Sequence, residues 1–281
     1  MILYTPAELS AFIDPLKHKG RTVGFVPTMG ALHKGHITLA AQALHECSIV
    51  VISIFVNPTQ FNKPEDLEHY PRTLQADAML IAQLDPNIII FAPTARDLYG
   101  DRVVAKSYDF GVIATAMEGQ FRPGHFDGVG TVVNLLFRAV NPDKAYFGEK
   151  DYQQLKVVEK LVEIEALPVQ IVPCAIARNP EGLALSSRNA RLTASERAQA
   201  TIIYRMLKEA QSRFASEDIP AIQALLQQTF AQEENMELEY FDIAPVDTLL
   251  PSVHKAKNIK YRAFIAVMIS GIRLIDNMQL N

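Results

Sequence analysis

The sequence predicts an α/β protein: a Rossmann-like, doubly wound parallel sheet over residues 1-176 and a smaller α+β C-terminal domain over residues 177-281. Three observations predict it. Between Arg21 and Pro173, short β-branched runs alternate with stretches of helical periodicity, the pattern of parallel strands joined by crossover helices. After about Ala177 this alternation stops, and two helical stretches are followed by three strand-like runs. No internal repeat or low-complexity segment interrupts either part, and 281 residues suffice for one large core or two modest ones.

The first helix starts at Thr5-Pro6-Ala7-Glu8, where threonine and glutamate form a capping box and proline takes the first helical position. Strands are expected at Thr22–Val26, Ile49–Phe55, Ile88–Phe91, Lys144–Phe147 and Val169–Val172. Helices are expected between them at His36–His45, Thr73–Leu84, Val129–Val140 and Tyr152–Glu165. Further on, Thr193-Ala194-Ser195-Glu196 caps a long helix and Ile219–Gln232 forms another, while Glu239–Ile243, Ala263–Ile269 and Arg273–Ile275 read as strands. At the domain boundary, Asn179 to Asn189 is polar and rich in Gly, Ser and Asn, as a mobile loop would be. Ligands of doubly wound sheets sit at the carboxyl ends of the strands, so the loops Pro27–Gly35 and Asn57–Asn62 are the first places to seek a site.

With 27 basic and 31 acidic residues, a formal charge of −4 and a pI near 6.0, the chain offers no broad cationic face for a nucleic acid. A single nucleotide remains compatible, because a triphosphate needs only a few well-placed donors. Cys47 and Cys174 belong to no C-x-x-C or histidine-paired pattern, which argues against structural zinc or a disulfide framework and leaves buried free thiols as the expectation. Met1 to Pro6 carries no basic leader, and the longest apolar run, around Ile49 to Val56, is too short to span a bilayer. A cytoplasmic protein without a membrane partner is expected.

No G-x-x-x-x-G-K-[ST] motif occurs, and Gly128-Val129-Gly130 is not followed by a third glycine, so the common phosphate-binding signatures are missing. In their place, Pro27-Thr28-Met29-Gly30-Ala31-Leu32-His33-Lys34-Gly35-His36 follows the first core strand and opens a helix. A helix N-terminus favours an anion, two histidines at this spacing project to one side, and Gly35 lets a base or ribose approach the backbone. Solvated helix-start histidines are the ordinary alternative; position at a strand end favours a ligand site. A second segment, Phe147-Gly148-Glu149-Lys150-Asp151-Tyr152-Gln153-Gln154, repeats the strand-loop-helix context. There Lys150 would meet a phosphate and Asp151 the ribose hydroxyls, while Gln154 can both donate and accept. Leu183-Ala184-Leu185-Ser186-Ser187-Arg188-Asn189 offers two hydroxyls and a guanidinium suited to phosphate oxygens, or a plain polar linker. Finally, Asn57 and Gln60 present two amides after the second strand, suited to a polyhydroxy substrate or to a turn.

The His33-Lys34-Gly35-His36 pattern resembles the H-x-G-H signature of the nucleotidyltransferase and class I aminoacyl-tRNA synthetase superfamily. Read in order with the other three segments, and with Tyr70-Pro71-Arg72-Thr73, Arg122-Pro123-Gly124-His125-Phe126 and Arg273-Leu274-Ile275-Asp276-Asn277, the chain is similar over nearly its full length to the pantoate–β-alanine ligases, the pantothenate synthetase family. The resemblance implies a homodimer with a C-terminal lid domain. It also implies the reaction of pantoate, β-alanine and ATP, with Mg2+, to pantothenate, AMP and pyrophosphate, a step of coenzyme A biosynthesis. Carried over by position, it implies an ATP site of Met29, Gly30, Ala31, Leu32, His33, Lys34, Gly35 and His36, with Gly148, Glu149, Lys150, Asp151, Ala177, Leu185, Ser186, Ser187 and Arg188. Gln60 and Gln154 become the pantoate pair, His36 the proton donor, and His33 with Lys150 the groups that stabilise charge at the α-phosphate. Thr59 and Leu185 stand where the family often has methionine, and neither change is expected to supply a polar contact. No direct protein ligand for magnesium is evident, Asp77 being the one carboxylate considered.

Overall fold

A computed structural model of the chain describes residues 1–62 and 64–281. Two compact units emerge, the first made of Met1–Phe110, Arg122–Glu149 and Gln154–Ala175, the second of Gly111–Phe121, Lys150–Gln153 and Ile176–Asn281.

In chain order the first unit contains β1 (Ile2–Leu3), α1 (Pro6–Lys17), β2 (Val23–Thr28), α2 (Lys34–Glu46), β3 (Ile49–Ile54), α3 (Pro64–Glu68), α4 (Leu74–Leu84), β4 (Ile89–Phe91) and α5 (Ala95–Tyr99). The short helix α6 (Glu118–Phe121) belongs to the second unit, after which α7 (His125–Val140), β5 (Lys144–Gly148), most of α8 (Tyr152–Ile164) and β6 (Gln170–Cys174) complete the first. Its sheet runs β1-β4-β3-β2-β5-β6 with every pairing parallel. From β2 the chain winds one way through β3 and β4 and the other way through β5 and β6. The doubly wound sheet that the sequence predicts is therefore present, with its reversal between β2 and β5.

Alternation along the strands sends Val26, Val50, Ile52 and Ile90 to the face covered by Ala40 and Ala43 of α2 and Ile81 of α4. On the other face Phe25 meets Phe137 of α7 edge-on, with ring centroids 6.1 Å apart, and α1 packs beside α7. Cys47 and Cys174 are free and buried; burial, with the Glu46 and Glu149 carboxylates adding, pushes the Cys174 thiol up to about 11.

Helix boundaries follow local chemistry. The Thr5 hydroxyl accepts from Glu8 N–H at 3.2 Å, and Glu8 accepts from Thr5 N–H at 3.0 Å, so the predicted capping box starts α1. Helix α7 begins one turn earlier than the apolar period suggests, at His125. Strand β2 continues through Pro27 and Thr28, beyond the predicted end at Val26. Proline is tolerated because β5 pairs with β2 only at Gly24 and Phe25, so on that side β2 is already an edge.

The second unit adds α9 (Ala194–Gln199), α10 (Thr201–Arg213), α11 (Ile219–Phe230) and an antiparallel sheet β7-β8-β9, formed by Met236–Pro245, Tyr261–Ile269 and Ile272–Gln279. The single long helix expected after Thr193 is two, because the hydrogen-bond ladder breaks at Ala200 although the Thr193–Glu196 capping box is present. Helices α10 and α11 cover one face of this sheet, with Ile203, Leu207, Ile222 and Leu226 against Ile243, Ile265 and Val267. The other face is covered by Ala116 and Met117 with Tyr152, against Phe264 and Ala244. That need to bury a second apolar face explains why 111–121 and 150–153 join this unit. No helix among the described residues is long and apolar enough to cross a membrane.

One ionic cluster pins the 111–121 segment. Arg273 of β9 donates to both oxygens of the buried Glu118 (2.8 and 2.6 Å) and to Glu239 at 2.8 Å, while the Tyr240 hydroxyl donates to Glu118 at 2.9 Å. Burial works against the Arg273 charge, but the two carboxylates outweigh it and raise its pKa; burial and Glu118 likewise raise that of Tyr240. Glu118→Ala should cost about 2 kcal/mol, below the usual range for a broken buried pair because Arg273 keeps Glu239. Urea unfolding should show a lower midpoint, and an unchanged one would remove this cluster from the causes of stability.

Candidate active site

Strands β2 and β5 part at their carboxyl ends, where β2 runs on into Met29–His36 and β5 ends at Gly148. Leaving β2, the Thr28 hydroxyl donates to Ser53 O at 2.6 Å and accepts from Gly30 N–H at 3.1 Å. Gly30 (φ +82°) and Ala31 (φ +49°) then take the left-handed region, and a Cβ on Gly30 would stand 3.0 Å from the Ile54 side chain. Ala31 bears a strain that the neighbouring anchor must offset.

That anchor is Asp77 of α4, 3% exposed. Its oxygens accept from Ala31 N–H at 3.0 Å and Leu32 N–H at 2.8 Å, and from the Thr73 hydroxyl at 3.1 Å. The carboxylate considered for magnesium is thus engaged in shaping the loop, with Leu32 partly buried against the core behind it.

His33 and His36 build an unusual reciprocal cap on α2. His33 Nδ1 accepts from Gly35 N–H at 3.1 Å, His36 Nδ1 accepts from His33 N–H at 3.3 Å, and the rings lie tilted by 33° with centroids 4.1 Å apart. Accepting at Nδ1 puts the proton of each neutral ring on Nε2. From sequence, the backbone N–H groups of this turn are expected to meet an anion. The ring of His33 engages the Gly35 N–H, so that donor of the turn is satisfied within the protein.

Gln60 closes a turn over Pro58–Gln60, where its Nε2 lies 3.0 Å from Met29 Sδ and its Oε1 accepts from Asn57 at 3.1 Å. Its backbone oxygen accepts from His125 Nδ1 at 2.8 Å and Arg122 at 3.3 Å. Arg122 and His125, to which the sequence assigns no role, therefore hold the turn. Asn57 resolves toward packing: it is 1% exposed, accepts from the Tyr99 hydroxyl at 2.6 Å and donates to Gly128 O at 3.2 Å. Gly128 permits that contact, since a Cβ there would fall 2.2 Å from Thr59 O.

At the end of β5, a Cβ on Gly148 would meet nothing within 4 Å, and the chain turns through Glu149–Asp151 into α8. Gln154 is half-buried and its amide has no protein partner among the described residues, whereas Gln153 is consumed by Ile113 O, Ala116 O and Glu118 N–H. In the second unit, Lys150 pairs with Asp151 at 3.6 Å. There Asn179–Asn189 is a hydrogen-bonded hairpin instead of an open loop: Arg178 bridges Ala184, and Leu185 N–H donates to Ala177 O at 2.9 Å. Ser186 caps the following turn, Ser187–Arg191, by accepting from Arg188 N–H at 3.2 Å.

A doubly wound sheet whose reversal point carries an H-x-G-H turn defines the class: a Rossmann-like enzyme of the H-x-G-H group. The profile described as "Pantoate-beta-alanine ligase" matches residues 1–279. A pantothenate synthetase of Flavobacterium psychrophilum is 49% identical over 100% of this chain and 99% of its own, and that of Christiangramia forsetii is 49% identical over 96% and 95%. The crystal structure of pantothenate synthetase from Thermus thermophilus superposes with a TM-score of 0.91 at 37% identity, covering 99% of each chain. That of the Francisella tularensis ligase, complexed with beta-gamma ATP and beta-alanine, gives 0.82 at 36% identity, covering 99% of this chain and 97% of its own. The chain belongs to the pantoate–β-alanine ligase family.

Asp77→Asn replaces an acceptor oxygen by an N–H donor that faces a backbone N–H. It should lower metal-free stability by about 1–3 kcal/mol. Urea unfolding in a chelator checks this: a midpoint equal to the parent's would return Asp77 to the candidates for magnesium.

Proposed function

We propose that the chain condenses pantoate with β-alanine to pantothenate in two steps, through a pantoyl adenylate, with AMP and pyrophosphate as co-products. The observation that carries the reading is the His33–His36 pair, fixed as a reciprocal cap at the reversal point of the sheet. In the first step a pantoate carboxylate oxygen attacks the α-phosphorus of ATP and pyrophosphate leaves. Such a reaction asks the protein for alignment and for donors where negative charge grows. His36 Nε2–H serves the departing phosphates as proton donor, while His33 and Lys150 stabilise charge at the α-phosphate.

Gln60 and Gln154 orient pantoate through its hydroxyls, and the amide of Gln154 retains its hydrogen-bonding capacity for that purpose. The site around ATP comprises the Met29–His36 turn and Gly148–Asp151, with Ala177 and Leu185–Arg188 from the C-terminal lid, which excludes water from the adenylate. In the second step the amine of β-alanine attacks the adenylate carbonyl, and AMP leaves. Among the described residues no group of three or more His, Cys, Asp or Glu side chains could hold a metal ion. A magnesium ion would be held mainly by the phosphate oxygens of ATP and by water, and would offset negative charge on the phosphates. A cytoplasmic homodimer completes the reading, following the family resemblance.

Labelled pyrophosphate should exchange into ATP when pantoate and Mg2+ are present and β-alanine is absent. Pantothenate production without such exchange would replace the adenylate by a concerted three-substrate reaction, and absence of both would overturn the ligase reading. His36→Ala should lower turnover at saturating ATP by about 10²–10³-fold, the usual loss for one charge-stabilising donor. Near-normal turnover in a folded variant would confine His36 to its capping role.

A further inference from the structure

Two neighbouring residues near the end of β9, Asp276 and Asn277, hold both second-unit segments assigned above to ATP. Asn277 is 1% exposed. Its Nδ2 donates to Lys150 O at 2.8 Å, and its Oδ1 accepts from buried Arg262. The Arg262 guanidinium also lies over the Tyr152 ring, 3.9 Å from the centroid, so the turn that starts α8 is gripped at Lys150 and again at Tyr152.

Asp276, 4% exposed, faces the other segment. Arg178 reaches it with a bidentate fork, at 2.6 and 2.9 Å, while donating to Gly182 O at 3.0 Å inside the hairpin. The same guanidinium lies over the Tyr204 ring at 4.5 Å and donates to Asn277 O at 3.4 Å. Asn277 N–H donates to Asp276 Oδ1 at 2.8 Å, which joins the two halves into one network. Arg178 stands in the stem of the hairpin, where its bridge to Ala184 and the Leu185 bond to Ala177 set the course of the chain into Ser186.

We infer that Asn277 and Asp276 are positioning residues for the adenylation step, an inference that rests on the assignment of Lys150 and Arg188 to ATP. Asn277 sets the backbone of Lys150, and Asp276, through Arg178, sets the stem of the hairpin that carries Ser186 and Arg188. One strand thereby fixes the spacing of the two cations proposed for the phosphates. Misplacing a group that aligns a phosphoryl transfer lowers the rate more than the affinity.

Asn277→Asp keeps the acceptor for Arg262 and loses the donor to Lys150 O. Pantoate-dependent pyrophosphate exchange should fall about 10-fold or more in kcat, with KM for ATP within about threefold of the parent. Asn277→Gln, which retains both donor and acceptor, should recover part of the loss. In a Lys150→Ala background the same Asn277→Asp change should cost less than about twofold, because the residue it positions is gone. An equal loss in both backgrounds, or a parent-like rate for Asn277→Asp, would overturn the inference. If Asn277→Asp does not fold, Arg178→Lys against Arg188→Ala decides by the same two outcomes. Absence of both exchange and pantothenate production in the parent protein would instead refute the ligase reading itself.

Discussion

The structure depends on how little β2 and β5 share. They pair at only two positions, Gly24 with Lys144 and Phe25 with Ala145, whereas β2 pairs with β3 along its full length. A chain that winds outward in both directions from one strand leaves no crossover to bridge the gap at that strand's carboxyl end. The Met29–His36 turn and Gly148 flank that gap, and Pro27 is accommodated for the same reason.

An open gap is useful only if its rim is rigid, and the rim here is held by buried polar groups. Asp77 binds two successive N–H groups of a loop that passes through the left-handed region at Ala31, where a β-carbon is disfavoured. His33 and His36 cap the next helix with their own rings. The side chains proposed for chemistry therefore also carry part of the local architecture, so loss of activity after their replacement needs a measurement of folding beside it.

Much of this is legible in the sequence because it is local. The capping boxes at Thr5 and Thr193, the β-branched runs of β3 and β4 and the strand-loop-helix placement of both segments proposed for ligands require only neighbours a few positions apart. The extension of β2 through Pro27 depends on where β5 diverges, which no local pattern records. Likewise, Asn57 and Gln60 are equivalent as amides in sequence, and only the approach of Gly128 and Tyr99 buries the first. Asp77 reads as a candidate metal ligand because its partners are backbone N–H groups more than forty positions away. The covering of the small sheet by residues 111–121 and 150–153 is also nonlocal, and composition offers no sign of it.

Gly128 lies in the middle of that nonlocal structure, on the first turns of a helix whose other residues are mostly buried. The hydrogen at its α-carbon occupies the volume where any other residue would put a β-carbon, 2.2 Å from the carbonyl oxygen of Thr59. A larger residue would have to push the Pro58–Gln60 turn outward, carrying Gln60 with it. The position of the side chain proposed for a small acid is thus calibrated from behind, by the thickness of a helix backbone.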